Sequence, residues 1–255
     1  MSKKIILLAG KGNSTHIIYH ALKNEYDIVA IILEDPENRS DFLKRRIKKL
    51  GLLKVIGQLI FRLAIAMPLE IVSANRIKQI LREHQLNNKA LPPDKVIRVK
   101  SVNDDKCLQI LQRIDPEIVI VNGTRILSKS ILHSIPAKFI NMHAGITPKY
   151  RGVHGGYWAI VNNDNVNCGV TIHLVDTGID TGSVIYQQQI EITSRDNFST
   201  YPLLQLAAGL PLLKKAIADI LEGRLTIMPG VGETRLWSHP TIGQYLYHRL
   251  FHAKK

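Results

Sequence analysis

Lys4-Ile5-Ile6-Leu7-Leu8-Ala9, followed by Gly10-Lys11-Gly12-Asn13-Ser14-Thr15, decides the fold class. The apolar run does not alternate with polar residues, so it suits a strand buried on both faces. Gly10 and Gly12 then break it, and a helix is predicted from His16 to Lys23. The same unit recurs downstream. Strands are predicted at Asp27 to Leu33, Lys95 to Val99 and Pro116 to Val121, with a helix at Asp104 to Arg113. Short apolar strands alternating with helices give an α/β fold, a doubly wound and mostly parallel sheet. Ligands bind such sheets at the carboxyl ends of the strands, where the strand order reverses. That rule places Gly10 to Thr15, Asn122 to Leu127 and Asn141 to Gly145 along one rim.

The turn Gly10 to Thr15 has two readings. Backbone amides at a helix N-terminus, approached closely through glycines, form an anion site. The sequence is neither a full GxGxxG nor a Walker motif, so a plain strand-to-helix turn stays open beside it.

Further along, Phe139-Ile140-Asn141-Met142-His143 reads as a strand that presents Asn141 and His143 on one face, because alternate side chains point the same way. Ala144 to Gly152 holds two glycines and a proline and is expected to be irregular. A second strand, Gly169 to Val175, carries His173. The turn Asp176-Thr177-Gly178-Ile179-Asp180-Thr181-Gly182 could aim Asp180 back at the first strand. An amide, an imidazole and a carboxylate at adjacent strand ends suit chemistry on a carbonyl carbon.

Asn141-Met142-His143, Pro148-Lys149-Tyr150-Arg151-Gly152, Gly169-Val170-Thr171-Ile172-His173 and Asp180-Thr181-Gly182 resemble, in order and approximate spacing, the formyltransferases that use 10-formyltetrahydrofolate. The resemblance covers roughly residues 1 to 225, its sharp motifs lying between Gly123 and Gly182. It implies the Rossmann-like formyltransferase fold, with a catalytic domain over 1–225, a helical insertion at about 40–86 and a short basic extension over 226–255. It also implies 10-formyltetrahydrofolate as co-substrate, with no metal.

Catalytic roles would fall to Asn141, His143 and Asp180. Asn141 and a protonated His143 donate to the developing oxyanion. Asp180 sustains that charge and relays the amine proton to N10 of the folate, since a neighbouring carboxylate favours the imidazolium. The folate would lie against Arg125, Ile126, Leu127, Val175, Asp176 and Gly178. Backbone groups on an irregular loop suit the donor and acceptor edge of a pterin. The acceptor would lie against Gly10, Gly12, Asn13, Ser14, Thr15 and His173.

Arg125-Ile126-Leu127 and the anion turn resemble glycinamide ribonucleotide formyltransferase, which makes a small phosphorylated amine of purine biosynthesis the expected acceptor. An amino-sugar nucleotide is the next reading. Methionyl-tRNA ranks lower, because the stretch after Gly223 is short for the barrel domain that the tRNA enzymes carry. Water ranks lower too, because the hydrolases usually add an N-terminal domain. From another class, a non-catalytic lipid- or RNA-binding protein is the rival; the intact Asn, His and Asp speak against it. No nucleic-acid partner is expected, and the assembly would be a monomer or homodimer.

Composition sets outer bounds. At 255 residues, 45% hydrophobic and 22% charged, the chain can bury one sizeable core. Cys107 and Cys168 form no spacing framework, and no leader pattern follows Met1, so a reduced, cytoplasmic setting is the default. The net charge of +13 draws anionic partners without choosing among them.

Ser40 to Pro68 reads as helix, basic at Lys44, Arg45, Arg46, Lys48, Lys49 and Lys54, then apolar. Broken by Arg62 and ended by Pro68, it is expected to fall short of a bilayer span of ~20 residues. A packed insertion is preferred over a subunit contact or a monotopic helix on anionic lipid. Beyond it, Ser73 to Gln85 and His154 to Val161 are predicted helices, Val184 to Ile192 a strand, and Asn197 to Leu221 a long helix started by Pro202 and broken at Pro211. His248 and His252 sit at helical spacing, where a solvated face is preferred over a metal site.

Overall fold

A computed structural model describes residues 3–230 and 232–251. The strands are β1 (Ile5–Ala9), β2 (Ile28–Glu34), β3 (Val96–Val99), β4 (Ile118–Asn122), β5 (Lys138–His143), β6 (Arg151–Gly152), β7 (Gly169–Leu174), β8 (Val184–Gln189) and β9 (Leu236–Trp237). The helices are α1 (Asn13–Leu22), α2 (Arg39–Leu50), α3 (Leu52–Phe61), α4 (Met67–Val72), α5 (Ala74–Glu83), α6 (Asp105–Ile114), α7 (Lys129–Leu132), α8 (Gly155–Val161), α9 (Tyr201–Leu221) and α10 (Ile242–Phe251). Seven strands form one sheet in the order β3-β2-β1-β4-β5-β7-β8. The first five run parallel, and β7 and β8 complete the sheet antiparallel.

The doubly wound α/β expectation holds, and burial shows why. Ile5, Leu7 and Ala9 belong to the core on one face of the sheet, with α1 and α9; Ile6 and Leu8 belong to the core on the other, with α6 and α7. A strand buried on both sides has no room for polar alternation. The chain leaves β1 towards β2 and later returns to β4, so β1 and β4 flank the point where strand order reverses. There Gly10 donates its N–H to the Asn122 carbonyl at 2.9 Å, and a Cβ on Gly10 would stand 2.3 Å from the Gly123 oxygen. Glycine is required by close approach.

Several boundaries differ from expectation. α1 begins at Asn13, three residues early, because Thr15 turns inward and its hydroxyl donates to the Gly10 carbonyl at 2.8 Å. α9 is not broken at Pro211; it runs unbroken to Leu221. Pro211 lies on its exposed side while Leu210, Leu213, Ala216 and Ile217 are buried, and that burial outweighs the ~3 kcal/mol cost of an interior proline. The apolar helix does not end at Pro68 either. A π turn, Arg62–Ala66, in which Met67 N–H bonds the Arg62 carbonyl, precedes the proline, and helix continues to Val72. By length and composition alone, Leu52–Val72 is long and apolar enough to cross a bilayer. The loop Ala144 to Gly152 is less irregular than expected, since Arg151–Gly152 pairs with Leu236–Trp237 from near the C-terminus.

Candidate functional site

The antiparallel register of β5 and β7 sets Asn141 opposite His173 and His143 opposite Thr171. The turn after β7 then carries Asp180 over both. Gly182 permits this turn, because a Cβ there would fall 1.7 Å from the Leu174 oxygen. Asp180 has φ +51°, the left-handed region that a side chain other than Asn or Asp rarely enters.

The four polar groups interlock. Asn141 Nδ2 donates to His173 Nε2 at 3.1 Å and lies 3.5 Å from Asp180 Oδ1. His173 Nδ1 donates to the Leu174 carbonyl at 2.7 Å, and its Nε2 also lies 3.6 Å from Asp180 Oδ1. His143 Nε2 donates to the Tyr150 carbonyl at 2.7 Å, so its Nδ1 faces Asp180 Oδ2, 3.3 Å away. Gly152 N–H bonds that same Oδ2 at 2.8 Å. Beneath them Thr171 Oγ1 donates to the Gly145 carbonyl and accepts from Thr147 N, fastening the loop after β5 to β7.

Burial governs the charges. His143 is enclosed, and loss of solvent lowers its basicity below the ordinary 6.5 although Asp180 and the Tyr150 carbonyl pull the other way. Desolvation of the cation thus works against the protonated donor expected from sequence, and it exceeds what one carboxylate at 3.3 Å returns. For Asp180, burial pushes the pKa up, but His173, His143 and the Gly152 N–H together hold it below the ordinary carboxylate value.

These groups line a cleft of about 480 Å³, within the size range of small-molecule sites. Arg125, Ile126, Leu127, Val175, Asp176 and Gly178 form its walls, so the residues expected for catalysis and for the folate share one cavity. The Arg125 guanidinium is committed to Glu34 Oε1 at 2.6 Å, and its N–H bonds Glu34 Oε2 at 2.9 Å. Glu34 thus fixes the loop that lines the cleft. Asp176 is likewise spent on its turn, accepting from Gly178 N and Thr181 Oγ1.

A second hollow of about 370 Å³ adjoins the first and shares Asn122, Met142 and Ala144 with it. Asn13 and Ser14 line it. Thr15 is buried, and with Ser14 it accepts from Asn122 Nδ2, at 2.9 and 3.1 Å respectively, so Thr15 positions the turn. Gly10 and Gly12 are absent from both linings among the described residues. His173, expected with the acceptor, stands in the first cleft beside Asn141.

A family model described as formyl transferase matches residues 3–203. The chain belongs to the formyl transferase family. Methionyl-tRNA formyltransferase of Thermodesulfovibrio yellowstonii is 34% identical over 135 residues, 52% of this chain and 44% of that protein. The chain thus spans less than half the length of this curated relative. Glycinamide ribonucleotide transformylase 1 from Symbiobacterium toebii superposes with TM-score 0.59 at 16% identity, over 93% of this chain and 95% of that one. WlaRD, a sugar 3N-formyl transferase solved in the presence of dTDP and 5-N-formyl-THF, gives 0.55 at 18%, over 93% and 70%. At these identities the likeness of the two structures is one of fold.

Part of the cleft wall was not legible in the sequence. His239 arrives from beyond β9 and its Nδ1 meets His154 Nε2 at 2.9 Å; both line the cleft. Burial drives both imidazoles down, His154 to about 3 and His239 to about 4, so the pair is neutral. In sequence this stretch stands only as part of the short basic extension over 226–255. Trp237 stacks on Trp158 with centroids 4.6 Å apart and donates Nε1–H to the Lys149 carbonyl at 3.0 Å. Gln205 of α9 lines both cavities and donates to the Gly169 carbonyl at 2.6 Å. No group of three or more His, Cys, Asp or Glu placed to hold a metal occurs among the described residues, and His252 lies outside them.

Proposed function

We propose that this formyl transferase moves a formyl group from 10-formyltetrahydrofolate to the primary amine of a small anionic acceptor. The observation that carries the reading is the convergence of Asn141, His143, His173 and Asp180 in one cleft with the 125–127 and 175–178 walls.

Attack by a neutral amine on the formyl carbon makes a tetrahedral carbon and an oxyanion. The Asn141 amide has two N–H groups; one bonds His173, and the other, held only by a long 3.5 Å contact to Asp180 Oδ1, can turn to the oxyanion. The amine must lose a proton, and Asp180 with His143 Nδ1 takes it. The imidazolium then forms beside the oxyanion only as negative charge appears there. As the C–N10 bond breaks, the same proton passes to N10, so the site returns to its resting state with no covalent intermediate.

The adjoining hollow, with Asn13 and Ser14 at the uncapped N-terminus of α1, supports an acceptor carrying phosphate, of glycinamide ribonucleotide type. A single-turnover assay with 10-formyltetrahydrofolate and a panel of amines, glycinamide ribonucleotide and 4-amino-sugar nucleotides included, tests it through folate release. Release with no amine in the panel, or full turnover by Asp180→Asn, overturns the reading.

A further inference from the structure

The insertion between β2 and β3 carries an apolar face that no described part of the chain covers. Val55, Gln58 and Phe61 of α3 point into the protein, where Phe61 packs edge-on to Phe198 at 5.0 Å and Gln58 bonds the His239 carbonyl at 2.6 Å. The opposite side bears Leu53, Ile56, Leu63, Met67 and Ile71, spaced by three, four or seven residues and so on one flank. Leu53 is 85% exposed, Leu63 65% and Ile71 74%. A helix apolar all round is covered on both sides in a stable state. Neighbouring α10, whose Tyr245 packs tilted against Phe61 at 5.3 Å, leaves Leu250 and Phe251 more than 70% exposed as well.

Charge selects the cover. Residues 39–72 hold eight Lys and Arg against Asp41 and Glu70. α2, which has no buried residue, exposes Lys44, Arg45, Lys48 and Lys49, and Lys54 follows on α3. A second copy of this chain would set like charges against each other across the contact. An anionic lipid surface meets both the apolar face and its basic border. Crossing the bilayer is a different matter. It would strip Val55, Gln58 and Phe61 from their partners and carry Lys54, Arg62 and Glu70 into hydrocarbon.

We infer that the outer face of Leu52–Val72, bordered by α2 and α10, seats this protein in the plane of an anionic bilayer surface. Glu70 of the same helix also walls the second hollow, so docking holds that hollow beside the lipid headgroups.

Co-sedimentation of the full chain with vesicles tests this without reference to formyl transfer. The protein pellets with an equal mixture of phosphatidylcholine and phosphatidylglycerol and stays in the supernatant with phosphatidylcholine alone. Leu53→Asp with Leu63→Asp lowers partitioning about tenfold or more. Lys48→Glu with Lys49→Glu lowers it and flattens its dependence on salt. Both double variants keep the wild-type thermal transition, since all four side chains are exposed. Wild-type protein left in the supernatant with the anionic vesicles, or undiminished binding by the leucine variant, overturns the inference. A dimer that the leucine variant splits, without vesicle binding, assigns the face to a second copy instead.

Discussion

His143 Nδ1 stands 3.3 Å from Asp180 Oδ2, and that oxygen is already held by the Gly152 N–H at 2.8 Å. The carboxylate is thus anchored from one side and the imidazole from the other, through Tyr150, with a proton-sized gap between them. Asp180→Asn separates charge from structure. Asn enters the left-handed region readily and its Oδ1 can still accept from Gly152. Formyl transfer should fall by about 10²-fold or more, with an unchanged thermal transition; activity within a few-fold of wild type would remove the proposed proton relay.

The lowered basicity of His143 sets the pH profile. Its folded basicity lies below 6.5, so the base form predominates at neutral pH and is lost as pH falls through that lowered value. At saturating acceptor, with a weakly basic amine so that the acceptor itself does not titrate, the acid limb of kcat should fall below the ordinary histidine value. The sign for stability is the same. The unfolded chain takes up this proton first, so the contribution is whole above about 6.5 and declines as pH drops towards the folded value.

Gly10→Ala tests the switch point between β1 and β4. The added Cβ meets the Gly123 carbonyl at 2.3 Å, and that oxygen belongs to backbone. A loss of about 1–3 kcal/mol in denaturant unfolding is expected. KM for the acceptor should rise along with it, as Asn13 and Asn122 shift.

The pair Arg76–Asp196 ties α5 to the segment before α9. Asp196 has no exposed side-chain surface, and Arg76 Nε reaches it at 2.8 Å. Burial raises the Asp196 pKa, but Arg76 and the Thr193 hydroxyl and N–H bring it below the ordinary value. That stability is present above the unfolded carboxylate pKa and is lost as pH falls through the folded one. Arg76→Ala should cost roughly 3 kcal/mol at neutral pH, because it leaves a buried charge alone, and its stability should decline less steeply on acidification.

The strands and their order of helices were legible because two-sided burial writes itself as unbroken apolar runs, as at Ile5 to Ala9. The cleft was legible because Asn141, His143 and Asp180 sit within one stretch of strand, loop, strand and turn. Local sequence says less where distant packing decides. Pro211 and Pro68 look like breaks, yet one faces solvent on a buried helix and the other follows a π turn. The return of Trp237 and His239 depends on pairing across more than eighty residues, which no local period records. The charge of His143 depends on the depth of its enclosure, and a neighbouring Asp in the sequence gives only the opposing half of that balance.

Trp237 holds the Lys149 carbonyl, and β9 is the partner of Arg151–Gly152, whose N–H in turn fixes Asp180. During synthesis on the ribosome, the early strands can collapse around β1 as soon as β4 emerges. The carboxylate then waits for its anchor until residue 237 has left the exit tunnel. On the proposed mechanism, competence for chemistry therefore comes last, after most of the sheet is already in place.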